Sequence, residues 1–415
     1  MTALRILLIN QSFVPDRGGS GQLLGDLVEA LRAKGAEITV VTAPPTYTDE
    51  DLQWVRREVR PGLEVRRVGP ARFRGRKSIT NRLAGYLGFM WAAFWEVDRL
   101  TRERQFDVIT TASNPPVVGA LGAWYSGRRH IPFVYMLHDL HPDSLLSMGN
   151  FTLPAWAVRT WKSLNRYVFD RARLIVAVGP VMKERLVRKN VPSTKVKVIH
   201  QWAHPEFSPV PGALEARHRL GIAERDMVVL YFGNMGPAHN LDWLLTAVES
   251  LDSDSVTLVF IGDGVKRADL ERQAREARLP RVHFLPYQTG EAFLQVAALA
   301  DLGVVTLKPG LEGLGVPSKT YSILALGRPV LAIMPRQADV ARLVEEYQCG
   351  WVADSPEEIR EVLHLANRDR NKLAEYGRNA RRAYEEHFSL ARAVDEYWEV
   401  FTEACGKAQE GGSPL

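Results

Sequence analysis

Short β-branched and leucine-rich runs recur along this chain, each followed by a turn and then by apolar residues at helical spacing. Residues 4–9 read as a buried strand, 22–34 as a helix that Gly35 caps, and 38–42 as a second strand, which completes one βαβ unit. Further strands are predicted at 65–68, 108–111, 133–136, 174–178 and 197–200. Between His204 and Gly221 the pattern breaks at Pro205, Pro209, Pro211 and Gly212, a linker composition. A second series follows, with strands predicted at 227–232, 256–261, 282–285, 302–307 and 329–333. Such alternation predicts an α/β chain of two doubly wound, Rossmann-like domains facing across a cleft, divided at residues 1–205 and 206–388. Ligands in open α/β sheets bind beyond the carboxyl ends of the strands, so the chemistry is sought there.

Composition narrows the picture. A chain of 415 residues, 46% of them hydrophobic and 24% charged, is too long for one core and has the balance of a globular protein. Cys349 and Cys405 stand far apart, which argues against a disulfide framework or a zinc site and fits a reducing cytoplasm. Residues 1–10 read as a first strand rather than a leader. The net charge of +5 is unevenly spread: Arg66, Arg67, Arg72, Arg74, Arg76, Lys77 and Arg82 form one stretch without an acid. Residues 83–95 follow without a charge and contain Tyr86, Phe89, Met90, Trp91, Phe94 and Trp95, a run too short to span a bilayer, which needs about 20 residues. Two readings stay open, a solvated loop before a core helix, or a patch on an anionic membrane surface; the second is favoured. No nucleic-acid recognition motif accompanies the basic residues.

Three loops carry candidate chemistry. Asp16 to Gly21 joins a strand to a helix start, where glycines and unpaired amides favour an anion. A dinucleotide G-x-G-x-x-G site does not fit, because its third glycine falls on Leu24 and the second strand ends in Thr42, Ala43 and Pro44 without an acid. Gly233, Asn234, Met235 and Gly236 close a strand and lead through His239 to a helix from Leu241. Glu312 to Thr320 offers Gly313 and Gly315, a capping-type Ser318 and Lys319 as a point charge for phosphate.

In this order and spacing, the chain resembles glycosyltransferase family four, and within it the bacterial enzymes that build surface polysaccharides. The segments that carry the likeness are the Gly18-Gly19 loop, 135–143, 233–236, 260–264, and Glu312-Gly313 through 316–321 to 325–330. The resemblance implies a GT-B fold and a retaining transfer from a nucleotide sugar, UDP-linked by preference, to a lipid-linked saccharide, with no metal and no cofactor. The basic and aromatic stretch, read as a membrane patch, suits such an acceptor and an enzyme on the inner face of the cell membrane. The resemblance further implies that Gly18 and Gly19 approach the donor pyrophosphate, that His138 faces the reacting sugar, and that the amides of Leu314, Gly315 and Val316 hold the β-phosphate. Glu312 is implied on the sugar hydroxyls and Lys319 near the pyrophosphate. A final helix at 389–405 is implied to pack back on the first domain, with Trp398 and Phe401 as buried anchors.

Two departures stand out. The family's second glutamate is missing: Ser322 or Thr320 occupies its place, depending on the alignment. An arginine and a lysine after the strand of the second domain are replaced by Asn234 and His239, which shifts phosphate neutralisation onto Lys319, Lys308 or loop amides. His138, Asp139, His141 and Asp143 have metal-ligand character, but their spacing matches no zinc motif. Residues 113–116 line the acceptor or form a rigid turn. An epimerase, a phosphorylase or a non-catalytic relative are the competing functions.

Overall fold

Valine, isoleucine and leucine runs closed by glycine or proline turns form strands buried on both faces, the pattern of parallel sheets covered by helices. The computed structural model describes residues 3–16, 19–45, 54–70, 79–148, 153–209, 214–251, 255–288 and 290–406. The chain divides into two units, Met1–His200 with Leu390–Leu415, and Gln201–Ser389.

The first unit runs β1 (Arg5–Ile9), α1 (Gly19–Ala33), β2 (Glu37–Thr42), β3 (Arg57–Arg60), β4 (Leu63–Arg67), α2 (Ile79–Glu103), β5 (Val108–Thr111), α3 (Gly119–Arg129), β6 (Phe133–Leu137), α4 (Asp143–Ser147), α5 (Ala155–Arg171), β7 (Leu174–Ala177), α6 (Pro180–Arg188) and β8 (Val196–Val198). Its sheet has the order β3-β4-β2-β1-β5-β6-β7-β8. Only β3 is antiparallel, against β4. Strand order reverses between β1 and β5, the switch point at which doubly wound sheets bind ligands.

The second unit runs α7 (Leu214–Leu220), β9 (Met227–Phe232), α8 (Leu241–Glu249), β10 (Val256–Ile261), α9 (Arg267–Glu276), β11 (Val282–Leu285), α10 (Gly290–Ala297), β12 (Leu302–Thr306), α11 (Lys319–Ala325), β13 (Val330–Ile333), α12 (Asp339–Glu346), β14 (Gly350–Ala353), α13 (Pro356–Arg368) and α14 (Arg370–His387). Its sheet is parallel throughout, in the order β11-β10-β9-β12-β13-β14, and the switch point lies between β9 and β12. Met227, Val229, Tyr231, Leu258, Phe260, Val304 and Leu331 fill the core on one face of it.

The final helix, α15 (Leu390–Ala404), returns to the first unit, where it packs on α1 and β6 and buries Val394, Tyr397, Val400 and Phe401. Lys197 pairs with Glu403 at 2.8 Å, and Lys34 pairs with Asp395. Phe401 is buried, but Trp398 is only partly buried and Lys34 Nζ lies 5.4 Å from its ring centroid. The expectation of two buried anchors is thus corrected: residue 398 follows Tyr397 by one position and turns about 100° away from the buried face.

Candidate active site

Beyond β1 the backbone turns at 10–16, where some polar side chains bond within the turn while Asn10 Oδ1 and Gln11 Oε1 are buried without a partner among the described residues. Asn10 Nδ2 donates to the Ser12 carbonyl at 2.6 Å, and Ser12 Oγ donates to Asp16 Oδ2 at 2.9 Å. Gly18 lies outside the described residues, and Gly19 opens α1. The helix approaches the turn closely: a Cβ on Gly21 would lie 3.2 Å from the Asp16 carbonyl oxygen, and one on Gly25 only 2.4 Å from Val14 Cγ1.

His138 follows the end of β6, two strands from β1 in the sheet order. Its amide and that of Asp139 both donate to Ser113 Oγ, at 3.2 and 3.1 Å, so the turn after β5 clamps the histidine loop from below. Burial pushes the His138 imidazole below its ordinary 6.5, against the weaker pull of Asp139, so the ring is neutral at pH 7. His141 Nδ1 is bonded to Ser144 Oγ at 2.7 Å, and Asp143 is paired with Lys189 at 2.5 Å. Among the described residues, no group of three His, Cys, Asp or Glu side chains is arranged to hold a metal ion.

In the second unit, β9 ends in Tyr231 and Phe232 and turns at Gly233, whose φ of 109° suits glycine. The turn after β10 packs against it backbone to backbone: a Cβ on Gly262 would sit 2.1 Å from the Gly233 carbonyl oxygen. Tyr231 Oη donates to the Asn234 carbonyl at 2.7 Å and pins the turn, while the Asn234 side chain is exposed. His239 Nδ1 lies 3.0 Å from the Thr306 carbonyl and 2.9 Å from Thr306 Oγ1. Burial, aided by the charge of Lys319, pushes His239 down to about 3. It is a neutral group at the position of the missing lysine.

The segment between β12 and α11 completes this edge. Glu312 is buried, and its Oε1 accepts from the Gly310 amide at 2.9 Å. Gly313 has a φ of 67° and bends the loop. The Leu314 amide, expected to hold phosphate, instead donates to the Leu311 carbonyl at 3.1 Å and its side chain is buried. The amides of Gly315 and Val316 have no partner among the described residues, which leaves two donors where three were expected. Ser318 stands at the N-cap of α11 but makes no capping bond; Thr320 Oγ1 bonds the Pro317 carbonyl at 2.7 Å instead. Ser322 is buried on α11 one turn beyond.

Lys319 is the unusual group. Its stem is partly exposed, but its Nζ is buried without a hydrogen-bond partner among the described residues. Nζ lies 3.7 Å from the centroid of the Tyr231 ring, and 3.7 Å from where a Cβ on Gly233 would be. Burial lowers its pKa from 10.5 to about 7. Tyr231 escaped the sequence reading because it belongs to an apolar strand; its hydroxyl, which must find a partner when buried, was the available signal.

The basic stretch separates into two parts. Arg66 is buried in ion pairs with Glu64 and Glu96, and Arg67 is bonded to the Val14 and Val55 carbonyls, so neither is a surface charge as expected. Arg72, Arg74, Arg76 and Lys77 lie outside the described residues, as does the Arg82 side chain. On α2, Phe89 is buried while Leu83, Leu87, Trp91 and Trp95 are 52%, 71%, 68% and 54% exposed, one stripe at intervals of four residues. Among the described residues, no helix is long and apolar enough to cross a membrane.

Residues 18–202 match the family model described as a glycosyl transferase 4-like domain, and residues 226–367 match that of the glycosyl transferases group 1. The chain is 27% identical to the probable glycosyltransferase WbjE of Pseudomonas aeruginosa over 67% of its own length and 70% of that protein. It is 24% identical to the putative colanic acid biosynthesis glycosyl transferase WcaI of Escherichia coli K12, over 87% of this chain and 90% of the relative. Anabaena Alr3699/HepE, solved in complex with UDP and glucose, superposes with a TM-score of 0.71 at 20% identity, covering 96% of this chain and 100% of that one. The architecture is the GT-B fold.

Proposed function

This chain belongs to glycosyltransferase family four, and we propose that it transfers a sugar from a UDP-sugar, with retention and without a metal, to a lipid-linked saccharide during cell-surface polysaccharide synthesis. The observation that carries the reading is the buried Lys319 ammonium beside the Gly233 turn, a cationic donor without a hydrogen-bond partner among the described residues at the switch point of a doubly wound sheet. The UDP and glucose held by HepE, and the colanic acid pathway in the name of WcaI, support donor and product class.

Residues 206–388 are assigned to the donor, and 1–205 with the helix at 389–405 to the acceptor. Gly18, Gly19, Gly233, Asn234, Gly313, Leu314, Gly315, Val316 and Ser318 belong to the donor loops, with the open amides of Gly315 and Val316 and the Lys319 ammonium on the diphosphate. The neutral His239 and Ser322 serve as hydrogen-bonding neighbours, Ser322 toward the ribose. Glu312 holds hydroxyls of the transferred sugar and His138 steadies its anomeric centre. The bond from the anomeric carbon to the β-phosphate oxygen breaks as the acceptor oxygen bonds on the same face, and the acceptor's proton passes to the leaving phosphate. Catalysis then rests on positioning and on stabilising the diphosphate charge.

A thermal-shift screen of nucleotide sugars tests the donor: a ligand at a hundred times its Kd adds about 2.7 kcal/mol of stability. Transfer to a lipid-linked sugar, with the anomeric configuration read by NMR, tests the reaction. An inverted product, activity that only added magnesium or manganese restores after chelation, or turnover of the donor to an epimer without acceptor would each refute it.

The cytoplasmic membrane face is the proposed place of work. The exposed Leu83, Leu87, Trp91 and Trp95 stripe, next in sequence to four basic residues, supports insertion at an anionic interface. Changing Arg72, Arg74, Arg76 and Lys77 to glutamate should release the protein from anionic vesicles, at about 1 kcal/mol per basic residue, without lowering its Tm. Unchanged vesicle binding would leave a solvated loop as the better account.

A further inference from the structure

Tyr231 is wholly buried on β9 and touches two parts of the diphosphate edge, although the reaction outlined above gives it no role. Its ring lies 3.7 Å from Lys319 Nζ, the shortest cation–ring distance among the described residues, and its hydroxyl is bonded to the carbonyl of Asn234. No described carboxylate is paired with Lys319. Lys266 and Lys308 act on His239, which is itself neutral, and Lys266 is paired with Asp242 at 2.8 Å.

An aromatic face suits this position for a physical reason. It offers negative potential to an ammonium without accepting its hydrogens, so the charge is favoured while all three N–H donors remain available. A carboxylate would compete with an incoming phosphate for those donors, and an aliphatic side chain would leave the charge without compensation.

Resting on the UDP-sugar reading, we infer that Tyr231 is a positioning residue: its ring keeps the Lys319 ammonium charged and directed at the Gly233 turn, and its hydroxyl fixes that turn. The charge of Lys319 is in balance near neutrality, since burial lowers its pKa to about 7. UDP binding therefore draws a proton onto Lys319 above pH 7, and affinity falls as pH rises. A ring of weaker negative face moves that fall to lower pH.

Calorimetry of UDP binding between pH 6 and 9 tests this on the wild type, on Tyr231→Phe, and on phenylalanines bearing one to five ring fluorines at the same position. These keep the shape while draining the face of negative potential. Tyr231→Phe should bind UDP within about threefold of wild type. Full fluorination should move the midpoint of the affinity profile down by about one pH unit and weaken binding about tenfold at pH 8, with the curves converging at the acid end. Fluorinated forms that superimpose on the wild type, or that lose the same factor at every pH, would overturn the inference. So would a Tyr231→Phe form as weak as the fluorinated ones, because the hydroxyl alone would then matter. If the wild type binds no UDP at any pH, the donor reading fails; the pH dependence of Tm in the same series, measured against Lys319→Met without ligand, still decides whether the ring governs the lysine's charge.

Discussion

Beyond β1 and around β6, Ser12 bonds Asp16 and the amides of His138 and Asp139 bond Ser113, while the unpartnered buried atoms there, Asn10 Oδ1, Gln11 Oε1 and Thr111 Oγ1, are neutral oxygens. Beyond β9 and β12 the difference is one of charge, with the Lys319 ammonium buried without a hydrogen-bond partner among the described residues and the amides of Gly315 and Val316 open. A buried neutral oxygen without a partner costs little beside a buried unpaired cation, which costs stability until an anion arrives. The same doubly wound plan thus carries neutral unpaired oxygens at one edge and an unpaired cation with open amides at the other, the edge proposed above to receive the donor.

Lys319→Met gives the largest test of this contrast. Turnover should fall about a thousandfold, roughly 4 kcal/mol of transition-state stabilisation, because the developing diphosphate charge loses its cation. The ligand-free protein should meanwhile melt at a higher temperature. The sign follows from linkage: the lysine's folded pKa of about 7 lies below its ordinary 10.5, so the unfolded chain binds the proton more tightly. The destabilisation is complete below pH 7 and fades as pH rises toward 10.5, and the Tm advantage of Lys319→Met should shrink over that window. A variant that keeps wild-type turnover, or that melts lower at pH 7, would break the contrast.

His138→Ala comes next. The ring is neutral at pH 7 and is assigned to the sugar, so kcat should drop about a hundredfold while UDP affinity stays within a factor of about three. Loss of UDP affinity with kcat unchanged would move His138 to the nucleotide and erase the division of labour between the units.

Much of this was legible in residue order, and the exceptions have physical causes. Continuous apolar runs such as Met227–Phe232 and Val256–Ile261 announce central strands because both faces are buried. The strand β3 escaped because Arg57–Arg60 is a charged edge, as edges commonly are, and β14 because Gly350–Ala353 is short and begins with glycine. Glycines, Glu312 and Lys319 mark the loops proposed for the donor by type and spacing, but spacing cannot tell that the Leu314 amide closes a turn on Leu311. Nor can it tell that Arg66 and Arg67 are bonded inward: a run of arginines reads as one patch until Glu64, Glu96 and the Val14 carbonyl are brought beside them by β4, α2 and the turn after β1. Tyr231 meets Lys319 across 88 positions of sequence, a contact that only the sheet creates.

The smallest expected effect tests the hydroxyl that holds the histidine loop. Ser113→Ala removes the acceptor of two amides, at 3.2 and 3.1 Å, and leaves the backbone of the histidine loop without its clamp. One hydroxyl removed from a part-buried site should lower stability by about 1 kcal/mol, and kcat should fall by roughly threefold to tenfold as His138 loses its alignment. UDP affinity should not change, since no group of the second unit is touched. Ser113→Thr restores the hydroxyl and should recover both losses if the added methyl is accommodated, which a Tm measurement on that variant alone decides. Were Ser113→Ala to weaken UDP binding as much as it lowers kcat, the histidine loop would be part of the receptor rather than its support.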